Sequence, residues 1–306
     1  MESRKNMRLS GPMSAMRPRF GDEGGIRKMA AAGFDAVDYT FNEMVNPECI
    51  WNGYDYKQYA QKLLHLVKEE GIVFNQAHAP FLFDWDSMWM KPEFETCIFP
   101  VVKRSIECAA MLEIPLIVVH PIHHIRYRGN EKMLWEWNQE YYTRVLEAAG
   151  EYDIKIALEN MWQTDPKRNC GDSDVFSTPS RYRDFLDSLH HPQAAACVDV
   201  GHAGLAGEDP ADLLRTLGGK RVQAVHIHDN AYHVDDHTLP YLGKMNWNEI
   251  TKALGEIDYQ GDFTFEVTNY LTPFDDAMVD EALRFQVLVG RHLIHLVEEN
   301  RQIKKE

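Results

Sequence analysis

The chain has 306 residues, of which 44% are hydrophobic and 26% charged, a composition typical of a folded globular protein. No apolar run approaches the roughly 18 residues that a membrane span needs, and the charged N-terminus lacks the apolar core of a signal peptide. The formal net charge of −15 disfavours binding to a polyanion such as DNA. Five cysteines without paired spacing indicate reduced thiols, so we expect a cytoplasmic protein with no membrane partner.

Short apolar runs alternate with longer amphipathic stretches along the chain. Continuous apolar runs, such as residues 116–119, are typical of parallel strands covered on both faces. The predicted strands are Arg8–Met13, Ala36–Phe41, Ile72–His78, Leu116–His120, Lys155–Glu159, Ala195–Val200, Val222–His228 and Asp262–Val267. Eight βα units without a linker predict an α/β protein: one (β/α)8 TIM barrel domain over residues 1–306.

The segments between the strands carry helical patterns. Apolar residues three and four positions apart predict one buried stripe on each helix. The predicted stripes comprise Ala60, Leu63, Leu64 and Val67; then Leu134, Trp137, Tyr141, Val145 and Ala148; and finally Phe285, Leu288, Val289, Leu293 and Leu296. Asp209 and Thr178, each followed by proline, predict helix starts, and Gly33 predicts a helix end.

Two connections are longer than a barrel turn requires. The first, Pro80–Pro92, is rich in large apolar side chains, namely Phe81, Phe83, Trp85, Met88 and Trp89. The second is Trp162–Phe176. Long loops in compact domains are usually functional or disordered, and the aromatic content of the first favours a lid or an oligomer contact.

Histidine and carboxylate side chains stand at the C-terminal ends of the predicted strands three to eight. All strand C-termini of a (β/α)8 barrel open on one face, so we expect these side chains to converge. The strand-end residues are His78, His120, Glu159, Asp199, His202, His226 and Glu266. Asp235 and His237 follow in the loop after the seventh strand.

This convergence predicts a metal site. Buried, unpaired carboxylates are costly, so Glu159, Asp199 and Glu266 together require cations. Mixed oxygen and imidazole ligands suit Mn²⁺, Zn²⁺, Co²⁺ or Fe²⁺ better than Ca²⁺. A single histidine at a strand end is more often a satisfied polar residue, and a single glutamate there could form an ion pair. Asp229 and Asn230 are expected to shape the loop after the seventh strand.

The strand-end motifs resemble those of the xylose isomerase-like TIM barrel superfamily, over nearly the whole chain. This group includes sugar-phosphate isomerases and epimerases and the AP endonuclease family 2, which contains endonuclease IV. The resemblance rests on the glutamate of ALEN (Glu159), the DxxH of Asp199 and His202, the HxxDN that begins at His226, and the glutamate of FEV (Glu266).

In its epimerase-like members, the resemblance implies one catalytic metal held by Glu159, Asp199, His226 and Glu266. Glu159 and Glu266 would also be the catalytic acid and base, moving a proton through a metal-stabilised enediolate. The implied cofactor is a divalent metal, Mn²⁺ or Zn²⁺ first, with Co²⁺, Fe²⁺ or Mg²⁺ as alternatives. The implied partner is a small carbohydrate, a sugar or sugar phosphate, and the implied assembly is a homo-oligomer.

The endonuclease IV pattern is a second interpretation, that of a multi-metal phosphodiesterase. His78 and His120 would share Glu159 around a second metal, and a third metal would be held by His202, Asp235 and His237. The acidic charge and the scarcity of basic clusters count against a nucleic-acid partner. The close basic pairs in the mouth loops are Arg126 with Arg128 and Lys167 with Arg168, which could bind a sugar phosphate or form surface ion pairs.

One departure from the epimerase pattern keeps other reactions open. Many 3-epimerases place an arginine after the seventh strand, and the stretch AYHVDDH has none. An isomerase remains possible, as does a metal-dependent lyase, either a dehydratase or a C-deglycosidase that needs a partner subunit. A non-enzymatic binding barrel is a further alternative.

Overall fold

The computed structural model of the chain describes residues 6–81, 89–123 and 125–303, in which eight parallel strands form one sheet. The strands of this sheet are β1 (Leu9–Pro12), β2 (Ala36–Thr40), β3 (Val73–His78), β4 (Leu116–Val119), β5 (Lys155–Glu159), β8 (Ala194–Asp199), β9 (Val222–His226) and β10 (Phe263–Thr264). A separate antiparallel hairpin consists of β6 (Trp162–Asp165) and β7 (Cys170–Ser173). All eight predicted barrel strands are confirmed.

The sheet closes on itself. Neighbouring strands follow the chain order, and β1 pairs with β10 through Leu9 and Phe263. An isolated parallel bridge between Ile227 and Phe265 joins the segments that follow β9 and β10. This closure confirms the predicted TIM barrel.

Helices connect successive strands of the barrel. The described helices are α1 (Met13–Ala32), α2 (Tyr56–Glu69), α3 (Phe99–Met111), α4 (Glu131–Gly150), α5 (Pro179–Ser188), α6 (Val200–Leu205), α7 (Pro210–Leu217), α8 (Trp247–Glu256) and α9 (Val279–Ile303). The Asp209 carboxylate accepts a hydrogen bond from the Ala211 N–H at the start of α7, and α1 ends at Gly33 with φ at 102°. Thr178 precedes α5 without such a bond. Among the described helices, none has the length and apolarity to cross a membrane.

Two apolar clusters fill the barrel. The larger one lies between the strands and the helices and includes Ile117, Ile156 and Leu158. The smaller cluster contains the residues that alternate with these along the strands, namely Leu116, Val118, Ala157, Ala195, Cys197 and Ala224. Side chains of a strand point alternately to its two faces, so the smaller cluster is the barrel interior.

The second long connection differs from the expectation. Within Trp162–Phe176, β6 and β7 pair from Trp162–Ser173 to Asp165–Cys170, so most of this segment is a hairpin and not an irregular loop. Its residues are polar and half-buried without a strict alternation, which explains why the sequence pattern did not predict strands. In the first connection, Phe83, Trp85 and Met88 lie outside the described residues.

The predicted stripe on α9 is partly wrong. Phe285 and Leu288 are 49% and 64% exposed, whereas Val289 and Leu293 are buried as predicted. The buried face runs through residues 282, 286, 289, 293 and 297, where α9 packs against α1 and α8. Phe285 and Leu288 lie beside this face, and the predicted homo-oligomer stays a prediction.

Candidate metal centre and active site

Alternation along the strands carries the candidate ligands into the barrel mouth. The interior residues Val118, Ala157, Cys197 and Ala224 stand two positions before His120, Glu159, Asp199 and His226, respectively. Side chains two positions apart on a strand share a face, so each ligand continues the interior face of its strand. The predicted convergence of these side chains therefore follows from strand geometry.

Four predicted ligands meet around Nδ1 of His226. This nitrogen lies 3.2 Å from Glu159 Oε1, 3.3 Å from Glu266 Oε2 and 3.8 Å from Asp199 Oδ2. One ligand atom of each of the four residues lies within 4.8 Å of all the others. Glu159, Asp199 and His226 are fully buried. The structure thus brings together the four residues that the family resemblance implies as ligands of a catalytic metal.

The hydrogen bonding of this quartet fits a cation. Within the described part of the chain, no hydrogen-bond partner is found for His226 Nδ1, Glu159 Oε2 or Glu266 Oε2, although all three atoms are buried. Among those residues, the ion-pair partners of both glutamates are histidines, and neither glutamate pairs with a lysine or an arginine. Buried oxygen and nitrogen atoms without partners cost free energy, and a divalent cation would satisfy them together.

A second group shares Glu159. The Nε2 atom of His120 lies 3.2 Å from Glu159 Oε2, and that of His78 lies 3.9 Å from the same oxygen and 3.6 Å from Glu266 Oε1. His78 and Glu159 also each contain a buried atom without a partner among the described residues. The possible additional ligands His78 and His120 are therefore positioned next to the quartet.

A third group lies around Asp235. Its Oδ2 atom is 3.2 Å from His202 Nε2 and 3.0 Å from His237 Nε2. The opposite ring nitrogen of His202 contacts the Asn160 carbonyl oxygen at 3.0 Å, and that of His237 contacts the Glu266 carbonyl oxygen at 2.7 Å. Each carbonyl accepts the hydrogen on Nδ1 of its histidine, so the two Nε2 atoms are the ring nitrogens that could bind a metal shared with Asp235.

His228 belongs to the site and was missed in the sequence. It is buried, its Nε2 lies 3.0 Å from Asp199 Oδ1, and its ring stacks on His237 with centroids 4.0 Å apart. The position of this ring also requires Gly201, where a Cβ atom would lie 2.0 Å from the ring. His228 stands two positions after His226 in VHIHDN, and this spacing was the available signal.

The two candidate acid/base residues have different electrostatic environments. Burial acts to raise the pKa of Glu159, but His226 and the histidines around it hold that pKa well below its usual value. Burial raises the pKa of Glu266 above its usual value, with His226 and His237 opposing it. Burial lowers the pKa of His120 to about 4, so its imidazole is neutral at pH 7 and able to bind a metal.

A cavity of about 990 Å³ opens over the metal-ligand groups. Its wall includes the β6–β7 hairpin and the basic pairs predicted to bind phosphate or to form ion pairs. Arg128 is 2.6 Å from Asp172, and Arg168 is 2.5 Å from Asp165, so these two arginines form surface ion pairs. A buried imidazole–carboxylate pair, His123 with Asp174 at 2.9 Å, also reaches this cavity and was not predicted.

Comparison with known proteins agrees with this architecture. A family model described as the xylose isomerase-like TIM barrel matches residues 26–287. The chain belongs to this family. An uncharacterized protein of Sinorhizobium fredii is 28% identical over 189 residues, which cover 61% of this chain and 56% of that relative. The match therefore spans little more than half of the relative's length.

Solved structures share the fold at low identity. A D-tagatose 3-epimerase-like protein superposes with a TM-score of 0.74 at 21% identity, covering 96% of this chain and 99% of the other. A D-psicose 3-epimerase from Clostridium cellulolyticum H10, solved with D-tagatose, gives 0.74 at 16% identity, with 94% and 99% covered. At such identities the likeness shows the fold.

Proposed function

We propose that this protein is a metal-dependent sugar or sugar-phosphate isomerase or epimerase that works by carboxylate proton transfer. The observation that carries the proposal is the quartet of Glu159, Asp199, His226 and Glu266, in which two glutamates from different strands share one buried imidazole and open on one cavity. Two carboxylates beside a substrate cavity are what proton removal and return require.

The quartet residues would hold one divalent cation, with Mn²⁺ or Zn²⁺ proposed first. Three carboxylates and one imidazole form a mixed donor set that suits these ions better than Ca²⁺. When bound, the cation supplies Lewis acidity that lowers the cost of negative charge on a sugar oxygen.

The protein's own groups would divide the proton transfer. Burial raises the pKa of Glu266 above its usual value, whereas the histidine neighbours of Glu159 hold the pKa of that carboxyl well below its usual value. Environments that move two carboxyl pKa values in opposite directions are typical of an acid and base pair. We assign to these residues the removal of a proton next to the sugar carbonyl and its return to the enediolate.

The names of similar structures support a carbohydrate substrate. Of the two solved structures described above, one is named a D-tagatose 3-epimerase-like protein and the other, solved with D-tagatose, a D-psicose 3-epimerase. The absence of an arginine in the loop 231–237 leaves the choice between isomerisation and epimerisation to experiment.

The test is solvent-deuterium exchange into free ketohexoses and their phosphate esters with Mn²⁺- or Zn²⁺-loaded protein. We expect the wild type to exchange the proton next to the carbonyl, and Glu266→Gln to slow this exchange by about 10²–10⁴-fold because the proton carrier is lost. Asp172 lines the same cavity but pairs with Arg128, so Asp172→Asn is the matched control. This variant should retain exchange. Full exchange by Glu266→Gln would remove Glu266 from the mechanism.

A multi-metal phosphodiesterase is the second candidate, because all nine residues of the endonuclease IV-like pattern lie in three adjoining groups. The groups are His78, His120 and Glu159; Glu159, Asp199, His226 and Glu266; and His202, Asp235 and His237. The net charge of −15 and the pairing of Arg128 and Arg168 with aspartates disfavour a DNA surface. Cleavage of an abasic-site duplex by Zn²⁺-loaded protein, without exchange into any sugar, would favour this candidate.

A further inference from the structure

A continuous chain of buried polar side chains ends at His226. The Ser10 hydroxyl donates to Asn75 Oδ1 at 2.7 Å, and Asn75 Nδ2 donates to Thr264 Oγ1 at 3.0 Å. The Thr264 hydroxyl donates to Gln76 Oε1 at 3.3 Å, and Gln76 Nε2 lies 3.0 Å from His226 Nε2. All five residues are buried, so no solvent molecule competes for these bonds. The barrel interior, usually apolar, thus contains a polar relay that leads to a metal-ligand candidate.

His226 differs from three other histidines of the site in what faces its outer nitrogen, the one turned away from the ligand groups. Three histidines have an oxygen there: Asp38 Oδ2 at 3.4 Å from His78, the Asn160 carbonyl at 3.0 Å from His202, and the Glu266 carbonyl at 2.7 Å from His237. His226 instead faces the amide nitrogen of Gln76. An amide nitrogen only donates, so this arrangement requires a lone pair on His226 Nε2 and a hydrogen on Nδ1.

That tautomer cannot bind a metal through Nδ1. A neutral imidazole that ligates a cation through Nδ1 carries its hydrogen on Nε2, and this hydrogen needs an acceptor. The acceptor within reach is the other end of the same amide, Gln76 Oε1. Because the oxygen and nitrogen of an amide have nearly the same size, turning the Gln76 amide over keeps the packing and exchanges donor for acceptor.

We propose that Gln76 is a positioning residue whose amide turns over when His226 binds a metal, and that the whole relay reverses its direction with it. After the turn, His226 Nε2–H donates to Gln76 Oε1, and Gln76 Nε2 donates to Thr264 Oγ1. The Thr264 hydroxyl donates to Asn75 Oδ1, and Asn75 Nδ2, after the same exchange of ends, donates to the Ser10 hydroxyl oxygen. Each of the four contacts keeps one donor and one acceptor.

The inference rests on the proposed function, because it assumes the metal at His226 Nδ1. It adds that an amide buried in the barrel, outside the ligand set, sets the affinity of that site. The relay runs in one direction when His226 is metal-free and in the other when it binds a metal. Removing the acceptor Gln76 Oε1 should therefore weaken metal binding although every ligand is still present.

The experiment compares Zn²⁺ and Mn²⁺ affinity, measured by chelator competition, in the wild type, Gln76→Leu and Gln76→Glu. We expect Gln76→Leu to bind about 10–100-fold more weakly, since it has no acceptor for Nε2–H. Gln76→Glu, whose carboxylate only accepts, should bind at least as tightly as the wild type. Gln286→Leu is the matched control: it removes an equally buried glutamine from α9 and should leave affinity unchanged.

A second measurement reads the tautomer directly. In ¹⁵N-histidine spectra of the Zn²⁺-loaded wild type, the hydrogen of His226 should reside on Nε2 and exchange slowly with solvent, and in Gln76→Leu it should exchange faster. Zn²⁺ affinity of Gln76→Leu within twofold of the wild type would overturn the inference while leaving the metal site intact. A wild type that binds neither ion would overturn the proposed metal function as well, and binding without sugar exchange would overturn the reaction alone.

Discussion

Two buried carboxylates near the ends of two different barrel strands have opposite hydrogen-bonding environments. Asp229, just beyond β9, accepts hydrogen bonds from the backbone N–H groups of Tyr241 and Met245 and from the indole of Trp247, at 2.7–3.1 Å. Glu159, at the end of β5, faces histidines, and its Oε2 atom has no hydrogen-bond donor among the described residues. Both side chains are fully buried.

The hydrogen-bond donors around the two carboxylates distinguish a structural residue from a candidate ligand, whereas their burial is the same. Asp229 organises the loop that leads to α8, as the sequence analysis expected, and its donors leave no requirement for a cation. The carboxylate of Glu159 instead faces imidazoles, the side chains that most often accompany carboxylates around a metal ion, and a cation would satisfy its unpartnered oxygen.

Metal loading should produce the largest effect. An ion that binds the folded state alone stabilises it by about 4 kcal/mol when its concentration is a thousand times its dissociation constant. We expect Zn²⁺ or Mn²⁺ to raise the thermal midpoint of chelator-treated protein by several degrees. Unchanged melting curves at every ion concentration would contradict the metal site.

Substitution of Asp229 should have the next largest effect, on stability and not on metal affinity. Asp229→Ala leaves three N–H donors unpaired, those of Met245 and Trp247 in buried contacts and that of Tyr241 in a partly buried one, and should lower the free energy of unfolding by about 3 kcal/mol. Denaturant unfolding in the presence of a chelator measures this free energy. Asp276 has an exposed side chain, so Asp276→Ala is the control. A loss below about 1 kcal/mol would mean that water replaces the carboxylate.

The reciprocal substitution should act on the metal. Glu159→Gln removes a charged ligand from the quartet and should weaken Zn²⁺ binding by at least about a hundredfold, equivalent to about 2.7 kcal/mol. Chelator competition gives the dissociation constant, and the exposed Glu147→Gln serves as the control. Wild-type affinity in Glu159→Gln would show that the two carboxylates differ less than their hydrogen bonds indicate.

The smallest effect is expected at the rim of the cavity. The Arg128 side chain is 57% exposed where it pairs with Asp172, and exposed ion pairs contribute little because water and salt screen them. Arg128→Ala should change the free energy of unfolding by less than about 1 kcal/mol. If denaturant unfolding shows a larger loss of free energy, Arg128 stabilises the barrel mouth, as Asp229 does.

The fold and the convergence of the strand-end side chains could be predicted from the sequence because both depend on local pattern. The run at 116–119 is apolar at every position, and all eight strands found this way close into one barrel. Glu159 and His226 follow directly from their places at strand ends, since strand C-termini meet at one face. No knowledge of side-chain contacts was needed for either.

The remaining features depend on contacts between distant parts of the chain. The acceptor of Gln76 is known only once β3 lies within reach of β9 across the barrel, and the role of His228 depends on the position of Asp199. Phe285 belongs to an apolar pattern as regular as the buried one beside it, so periodicity alone did not decide which face of α9 is covered. These are tertiary choices that a single sequence leaves open.

The space shared by Gly201 and the His228 ring has an evolutionary consequence. The φ angle of Gly201 is not in the left-handed region, so this position needs glycine for room alone. Homologues with a smaller residue at position 228 should therefore tolerate alanine or serine at position 201, whereas those that keep the histidine should keep glycine. Covariation of positions 201 and 228, which are 27 residues apart, would identify the members of the family in which an imidazole contacts Asp199.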